Sequence, residues 1–339
     1  MSVLLWASGH GAAFQERLSR TLAMAEALGT RGLGTRIALP VEEAALGWLD
    51  RAGVRNPVLL PERGCELRAV LGARGGADAI VADVERPLSR ADVRALAAGN
   101  PLVVVEGRGP GLAEADVVVA LEPDARRSRA LSGPGYAPLR RAVRLAGDLR
   151  GRPPRPTPLV VVHLDARDDA GVIARILGGI AMARDAGTRL VGRLVADPLV
   201  AAEPRLAGLA RRFELSPPTA VWPDASIASL VEADVAVVTG GMVAYEAVAC
   251  GVPTIVVGAP RGISPLAAAG AAVSLPAGAT EERVAAAITA IATSPERRKA
   301  LVGASRTVVD GLGADRIADR LIALLAATRT ADVRERRVG

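Results

Sequence analysis

The feature of this sequence best suited to chemistry is a pair of glycines followed by a carboxylate within an apolar segment. Gly240 and Gly241 follow an apolar run, and Glu246 is the one charged residue in VVTGGMVAYEAVACGVPTIVVG, residues 237–258. Glycines let the backbone bend sharply and present its N–H groups. The helix predicted from Met242 onward points its positive end at the same bend. This arrangement predicts a phosphate-binding turn.

The carboxylate needs a different partner from the phosphates, because like charges repel. Glu246 can accept hydrogen bonds from two neighbouring hydroxyls, as on a ribose. One nucleoside diphosphate would then span the glycine turn and Glu246, with Met242 on the same helix face. The nucleotide-binding candidates are therefore Gly240, Gly241, Met242 and Glu246. The alternative is that the glycines only close a turn and that Glu246 faces solvent.

Short apolar runs alternate with helical patterns through the first half of the chain. The runs are continuous and β-branched, as in strands of a parallel sheet that is buried on both faces. Predicted strands lie at 3–8, 35–40, 57–61, 78–83, 102–106 and 116–121, and predicted helices at 14–29, 42–52, 64–73 and 89–98. This repeated βα pattern predicts a doubly wound sheet.

A proline-rich segment, LRGRPPRPTPLVVV at 149–162, interrupts this alternation. Closely spaced prolines fit neither element type and predict a linker. The alternation then resumes, with strands at 159–164, 189–195, 219–222, 234–239, 253–258 and 271–275, and helices at 170–186, 203–213, 226–232, 242–250, 264–269, 280–292, 295–309 and 314–328.

The fold class predicted from these patterns is α/β, with two doubly wound Rossmann-like domains that face a cleft. The boundaries are an N-terminal domain at 1–150, a linker at 151–158, a C-terminal nucleotide-binding domain at 159–312, and a last helix and tail at 313–339 that cross back to the first domain. Ligands of such sheets bind at the carboxyl ends of the strands. Asp83 ends a predicted strand there and either binds a sugar hydroxyl or caps the turn before Pro87.

Charge and composition limit the classes of binding partner that we expect for this chain. The net charge is +6 and only 2% of residues are aromatic, with Lys299 as the one lysine. The arginines alternate with acidic residues along helices, and no basic stripe with interleaved aromatics is present. We therefore expect no nucleic-acid partner.

The cysteines and histidines are too few and too scattered for a metal site. Cys65 and Cys250 lie far apart, and His10 and His163 are the two histidines. We expect no metal, no cofactor and no disulfide framework, which fits a reducing compartment. The N-terminal apolar run is too short for a signal peptide, and no unbroken 18-residue apolar stretch predicts a membrane span. The expected location is cytoplasmic, and the oligomeric state is left open.

Four stretches carry a resemblance to a known family. SLVEADVAVVTGGMVAYEAVACGVPTIVVG resembles the corresponding segment of the GT-B nucleotide-sugar enzymes. The other three stretches are similar to the UDP-sugar hydrolase of pseudaminic acid biosynthesis and the related spore-coat polysaccharide proteins. The four stretches are residues 229–258, 131–143 (LSGPGYAPLRRAV), 308–324 (VVDGLGADRIADRLIAL) and 20–32 (RTLAMAEALGTRG). Together they touch both predicted domains.

The resemblance implies a GT-B fold, a UDP-activated amino sugar as the ligand, and a place in surface polysaccharide biosynthesis. By it, Gly240 and Gly241 would contact the pyrophosphate and Glu246 the ribose hydroxyls, while the uracil would lie near residues 195–225. It also suggests a functional arginine at Arg20, near the sugar or the phosphates. The commoner role of a helix arginine is to face solvent.

Departures from the family pattern concentrate in loops. The family has a histidine at the place of Arg17, whereas here His10 stands in a Gly-His-Gly turn seven residues earlier. His10 is the candidate base for activating water, or else a surface loop residue. Glu106 stands where the family often has an aspartate, and Arg261 is a candidate phosphate or carboxylate contact in place of an absent Asn-Gln.

A further departure is HLDARDD, residues 163–169, where the family has a second glycine turn. Its aspartates either cap the following helix or hold a cation.

We therefore expect an enzyme. The predicted function is hydrolysis of a UDP-activated amino sugar with water activated by His10. The alternative is a glycosyltransferase that uses a nucleotide sugar, and a third reading is a sugar-nucleotide-binding protein without catalysis. Arg17, Arg20, Asp83, Glu106 and Arg261 are the candidate sugar or phosphate contacts.

Overall fold

The computed structural model describes residues 1–9, 11–41, 43–55, 57–60, 66–122, 130–148, 155–164, 170–196, 201–220, 223–258 and 264–338. Residue contacts divide the chain into two compact units. Unit 1 comprises Met1–Arg141 and Leu312–Gly339, and unit 2 comprises Ala142–Gly311. Unit 1 is thus made from two separate pieces of the chain, with unit 2 inserted between them.

Unit 1 contains a parallel sheet of seven strands within its described residues. Their spatial order is β3-β2-β1-β4-β5-β6-β7. The strands are β1 (Ser2–Ala7), β2 (Gly34–Pro40), β3 (Val58–Leu60), β4 (Ala79–Asp83), β5 (Leu102–Val105), β6 (Val117–Ala120) and β7 (Ala130–Ser132). The chain winds outward from β1 to β3 and then returns to the other side of β1, which makes the sheet doubly wound.

Unit 2 repeats this architecture with six parallel strands among its described residues. The spatial order is β10-β9-β8-β11-β12-β13. The strands are β8 (Leu159–Leu164), β9 (Val191–Ala196), β10 (Thr219–Ala220), β11 (Val235–Val238), β12 (Thr254–Val257) and β13 (Val273–Leu275). Here the winding reverses beside β8.

Helices connect the strands of both sheets. They are α1 (Gly11–Gly29), α2 (Glu43–Arg51), α3 (Glu66–Ala73), α4 (Arg90–Ala97), α5 (Arg141–Asp148), α6 (Ala170–Asp185), α7 (Pro204–Arg212), α8 (Pro223–Glu232), α9 (Gly241–Ala249), α10 (Ser264–Ala268), α11 (Glu281–Ala292), α12 (Pro295–Val308) and α13 (Gly313–Val338). None of the helices in the described residues has the length and the apolar character needed to cross a membrane.

The sheet of unit 1 is buried on both faces. Val3 and Leu5 of β1 join an apolar core with residues of α1 and α13. Leu4 and Trp6 point the other way, into a core that includes residues of α3 and α4. Because burying one such side chain contributes about 1.5–3 kcal/mol, helices that cover both faces stabilise these strands strongly.

The C-terminal helix α13 belongs to the core of unit 1. Ile317 and Leu321 are buried against residues of α1 and the sheet. Arg31 adds two ion pairs, each 2.6 Å from a carboxylate oxygen of Asp315 or Asp319. Since partly exposed ion pairs contribute at most about 1 kcal/mol, the apolar contacts hold α13 in place.

In unit 2, alternation along β8 separates its two faces. Val160 and Val162 join a core with residues of α6 and α11. Two glycines of α6 let these helices approach closely, since a Cβ added at Gly179 would lie 2.6 Å from Val284 Cγ1. His163 points to the opposite face, against which α8 packs.

The predicted fold class is confirmed, because both sheets are parallel and doubly wound. The predicted strands and helices are present, apart from shifts of a few residues at their ends. The sequence did not predict β7 or α5, and α13 continues past its predicted end at 328. The β7 strand has only three half-buried residues, too few for a clear pattern. The domain boundaries stay a prediction, since residues 149–154 lie outside the described residues.

Candidate functional site

Each sheet reverses its strand order at one place, which we call its switch point. In open α/β sheets, ligands bind outside the carboxyl ends of the strands at such points. The switch point of unit 2 lies between β8 and β11, and that of unit 1 lies between β1 and β4. Most of the sequence-predicted site residues that the structure describes lie at or near these two places.

The glycine pair forms the bend at the switch point of unit 2. β11 ends at Val238 and α9 begins at Gly241. Gly240 has φ 122° and Gly241 has φ 67°, conformations that residues with a Cβ rarely adopt. Gly240 occupies the N-cap position of α9, where glycine has no side-chain oxygen to offer the first amides of the helix. The sharp bend expected from the sequence is present, and its role in phosphate binding is a prediction.

Glu246 lies on the buried side of α9. Its exposed fraction is 7%, and Met242 one turn earlier is also buried. This burial excludes the alternative that Glu246 faces solvent. A buried carboxylate costs free energy unless hydrogen bonds or an opposite charge compensate it. A carboxylate at this position therefore needs a specific partner, and the role of Glu246 in binding a ribose stays a prediction.

Beside the bend lies a pair of side chains that the sequence analysis did not assign. His163 is the penultimate residue of β8, and its Nε2 lies 2.8 Å from the Oγ of Ser226 on α8. From the sequence, His163 was named only as one of two histidines, too few for a metal site, and as the first residue of the HLDARDD segment. The signal available was its place as the single polar residue in an otherwise aliphatic strand.

At the switch point of unit 1, Arg20 and Asp83 form a buried ion pair. Arg20 donates from Nε to Asp83 Oδ2 at 2.6 Å and from Nη2 to Asp83 Oδ1 at 3.0 Å. Their exposed fractions are 6% and 3%. Arg20 therefore does not face solvent, and the Asp83 side chain binds an arginine of α1. The structure brings these two candidates together, and their role as ligand contacts stays a prediction.

Arg17 lies one turn before Arg20 on α1, at the edge of this ion pair. Its Nε is 3.7 Å from Asp83 Oδ1 and its Nη1 is 3.9 Å from Glu85 Oε2. Ser8, just after β1, accepts a hydrogen bond on Oγ from the backbone N–H of Glu85. The two arginines thus sit among carboxylates at the carboxyl ends of β1 and β4.

The charges of this cluster affect one another. Burial lowers the pKa of Arg17, although Asp83 and Glu85 counteract part of the effect. For Arg20, burial also acts to lower the pKa, but the attraction and hydrogen bonds of Asp83 outweigh it and raise the pKa. Arg20 is therefore a permanent cation, held by Asp83.

Glu106 follows β5 in an uncommon backbone conformation. Its φ is 48°, and its N–H donates to Val119 O. The backbone N–H of Leu121 donates to Glu106 Oε1 at 2.6 Å. The residue as a whole is accessible to solvent. Loss of hydration around its carboxyl group nevertheless raises the pKa of Glu106. The hydrogen bond from Leu121 and the charge of Arg20 lower this pKa, but by less than the rise. Left-handed backbone at a non-glycine residue is often kept for function.

The remaining candidates lie outside the described residues. They are His10, Arg261 and the aspartates Asp165, Asp168 and Asp169. Within the part of the chain that the structure describes, no group of three His, Cys, Asp or Glu side chains is arranged to hold a metal ion.

Comparison with solved structures decides the fold family. A UDP-GlcNAc 2-epimerase from Neisseria meningitidis bound to UDP-GlcNAc is 10% identical, over 95% of this chain and 100% of that chain, with a TM-score of 0.69. Spinosyn forosaminyltransferase is 17% identical, over 96% and 99%, with a TM-score of 0.64. The calicheamicin glycosyltransferase is 19% identical, over 96% and 98%, with a TM-score of 0.58. The chain has the GT-B fold.

No protein-family model matches the chain, and no curated protein matches it either. At these levels of identity, the structural likeness establishes the GT-B fold alone. The fold implied by the sequence resemblance is confirmed, and the particular hydrolase family is not. Function has to be argued from the residues at the switch points.

Proposed function

We propose that this chain binds a UDP-activated sugar at the bend between β11 and α9 and transfers the sugar to an acceptor. The observation that carries the proposal is the pair of positive-φ glycines at the switch point, with a buried glutamate little more than one turn into the following helix. Gly240, Gly241 and Met242 offer backbone N–H groups to the diphosphate. Glu246 accepts hydrogen bonds from the ribose.

In the transfer reaction, an acceptor hydroxyl attacks the anomeric carbon of the sugar. The bond from that carbon to the phosphate oxygen breaks, and UDP leaves with the electron pair. The positive end of α9 stabilises the charge that develops on the leaving diphosphate. The acceptor proton passes to a general base, for which His10 is the candidate from the sequence.

Glycosyl transfer is favoured over hydrolysis because glycosyltransferases are among the solved structures of GT-B fold that match most of this chain, at 17% and 19% identity. The epimerase matches a similar share of the chain at 10% identity, with a TM-score of 0.69. These likenesses support the proposal without assigning a sugar or an acceptor.

Hydrolysis of the nucleotide sugar is the second candidate. The resemblance of residues 131–143 and 308–324 to the UDP-sugar hydrolase of pseudaminic acid biosynthesis favours it. Water would then replace the acceptor hydroxyl, and the same bend would hold the leaving diphosphate. Arg17 and Glu106 stay candidate sugar contacts from the sequence alone.

A binding experiment tests the nucleotide assignment. We expect the wild-type protein to prefer UDP over 2′-deoxy-UDP in calorimetry, because the deoxy sugar lacks a hydroxyl for Glu246. In Glu246→Gln the preference should disappear, with a loss of about 1.5–3 kcal/mol in UDP binding, roughly 10- to 150-fold in Kd. The exposed Glu232→Gln of the same unit is the matched control and should bind UDP like the wild type.

Turnover separates the candidate reactions. Release of UDP from UDP-sugars only when an acceptor alcohol is present would establish transfer, and release in buffer alone would establish hydrolysis. UDP binding without any turnover would leave a binding protein. If the wild-type protein shows no affinity for UDP, the nucleotide proposal is wrong.

A further inference from the structure

Three aspartates among the described residues stand at the same place, one residue before a buried strand. They are Asp78 before β4, Asp116 before β6 and Asp234 before β11, and each follows a buried alanine. The sequence around them repeats as ADAIVA at 77–82, ADVVVA at 115–120 and ADVAVV at 233–238. The repetition indicates a common structural role for the three carboxylates.

Each of these aspartates binds one residue of the neighbouring strand twice. The backbone N–H of Asp234 donates to Leu159 O at 2.8 Å, and the Leu159 N–H donates to Asp234 Oδ2 at 2.8 Å. We call this pair of hydrogen bonds an aspartate clip. The other two aspartates make the same pair of bonds, Asp78 with Ser2 and Asp116 with Leu102.

Two of these clips join the strand pairs that flank the switch points, β1–β4 in unit 1 and β8–β11 in unit 2. Apart from His163, the strands β8 and β11 are aliphatic and buried. In a half-exposed strand, a slip of register would move apolar residues into water, which specifies the register strongly. In strands covered on both faces this penalty is small, because one apolar side chain replaces another. The clip supplies another determinant, since both of its bonds form only when Asp234 lies beside Leu159.

The register of β11 against β8 decides where the glycine bend lies. Asp234 and Gly240 stand at opposite ends of β11. A slip by two residues keeps every side chain on its face but would move the bend by roughly 6–7 Å along β8. Ligands of such sheets lie in the crevice across the two strands of the switch point. A displacement of that size would therefore change the shape of the crevice.

We propose that Asp234 is a positioning residue of the nucleotide site. Through its clip to Leu159, it fixes the register of β11 and so places the glycine bend for UDP. The effect on UDP rests on the proposed function, whereas the register does not. The clip needs an acceptor oxygen and no charge, because its donor is a backbone N–H. Arg155 Nη1 lies 3.7 Å from Asp234 Oδ2, too far for a hydrogen bond, and donates to Glu232 O.

The first test compares Asp234→Ala with Asp234→Asn. Asparagine keeps an oxygen that can accept from the Leu159 N–H, and alanine does not. We expect Asp234→Ala to raise Kd for UDP about fivefold or more in calorimetry, because only molecules in the native register bind. Asp234→Asn should stay within about twofold of the wild type. Equal losses in both variants would assign the effect to the charge beside Arg155 and would overturn the inference.

Asp116→Ala is the matched control, because it removes the same clip from β5 and β6 in unit 1. Both alanine variants should lower Tm, and only Asp234→Ala should raise Kd for UDP. An equal rise in Asp116→Ala would mean that lost stability weakens binding, and would overturn the inference. If Asp234→Ala does not fold, Asp234→Glu takes its place with the same expectation, since its longer side chain misplaces the carboxylate.

Hydrogen exchange tests the clip without a nucleotide. The Leu159 N–H should exchange faster in Asp234→Ala than in the wild type and keep its protection in Asp234→Asn. If Leu159 loses protection while Kd for UDP stays unchanged, the clip does not position the bend and the inference is wrong. If the wild-type protein does not bind UDP but Leu159 responds as expected, the proposed function is wrong and the register assignment of Asp234 stands.

Discussion

At the scale of single residues, Arg20 and Asp83 form a buried ion pair at the carboxyl ends of β1 and β4. Both oxygens of Asp83 accept hydrogen bonds from Arg20, so each charge is compensated by the other. Such a pair is costly to break, because the remaining partner keeps its charge without hydration. The pair also fixes the part of α1 that carries Arg17.

We predict that Asp83→Asn lowers the free energy of unfolding by about 3–5 kcal/mol, because Arg20 would be left as a buried cation without its anion. Denaturant unfolding measures this change. Asp50→Asn is the matched control, since Asp50 and Arg55 also form an ion pair in unit 1 but their side chains are 76% and 78% exposed. The control should change stability by less than about 1 kcal/mol.

A smaller loss in Asp83→Asn would show that water reaches the Arg20 guanidinium and compensates its charge. Arg20 would then be available to a ligand, as the family resemblance suggests. The pair would in that case be interpreted as part of a ligand-binding site and not as a structural ion pair.

At the scale of secondary-structure elements, α9 has a glycine with nearly the same positive φ at each end. Gly241 has φ 67° and Gly251 has φ 66°. The first lies at the proposed phosphate site, and the second ends the helix. An alanine at either position would bear a similar backbone strain, of about 1–2 kcal/mol.

We predict that Gly241→Ala weakens UDP binding, because the bend can no longer present its amides in the same geometry. Gly251→Ala is its control: a Cβ there would lie 3.7 Å from Val302 Cγ1, an ordinary contact. Both variants should lower Tm by similar amounts, and only Gly241→Ala should raise Kd for UDP. A matching rise in Gly251→Ala would mean that the effect comes from destabilisation and that the bend has no direct role.

Elements were easier to predict than the contacts between them. Continuous apolar runs and the helical segments between them are local signals, and the glycine bend can be read from a few adjacent residues. The pairs Arg20–Asp83 and His163–Ser226 each join residues 63 positions apart. Such pairs depend on strand order and register, which a single sequence does not display. The sequence predicted that Asp83 and His163 lie at strand ends, but it did not predict which residues they contact.

At the scale of the whole chain, unit 1 depends on a helix that follows unit 2 in sequence. Leu321 of α13 is fully buried in the core of unit 1. We predict that Leu321→Ala lowers the free energy of unfolding by about 2–5 kcal/mol, as large-to-small changes in cores do. Leu145, which is 44% exposed, provides the control: Leu145→Ala should cost much less in the same denaturant experiment.

If Leu321→Ala and Leu145→Ala were equally mild, α13 would not support the core of unit 1. That result would also weaken the reason for treating residues 312–339 as part of that unit. Denaturant unfolding monitored with one probe in each unit would show whether the unfolding midpoint of unit 1 or that of unit 2 changes. Trp6 and Trp48 belong to unit 1 and Trp222 to unit 2, so a Trp222→Phe background confines the tryptophan fluorescence to unit 1.

The insertion of unit 2 within unit 1 has a consequence for biosynthesis. On the ribosome, strands β1–β7 emerge long before α13, the helix that covers one of their faces. At a translation rate of about 5–20 residues per second, that apolar face stays without α13 for on the order of ten seconds while unit 2 is synthesised. We therefore expect the nascent N-terminal part to need protection by chaperones, and the inserted unit to reach its native state first.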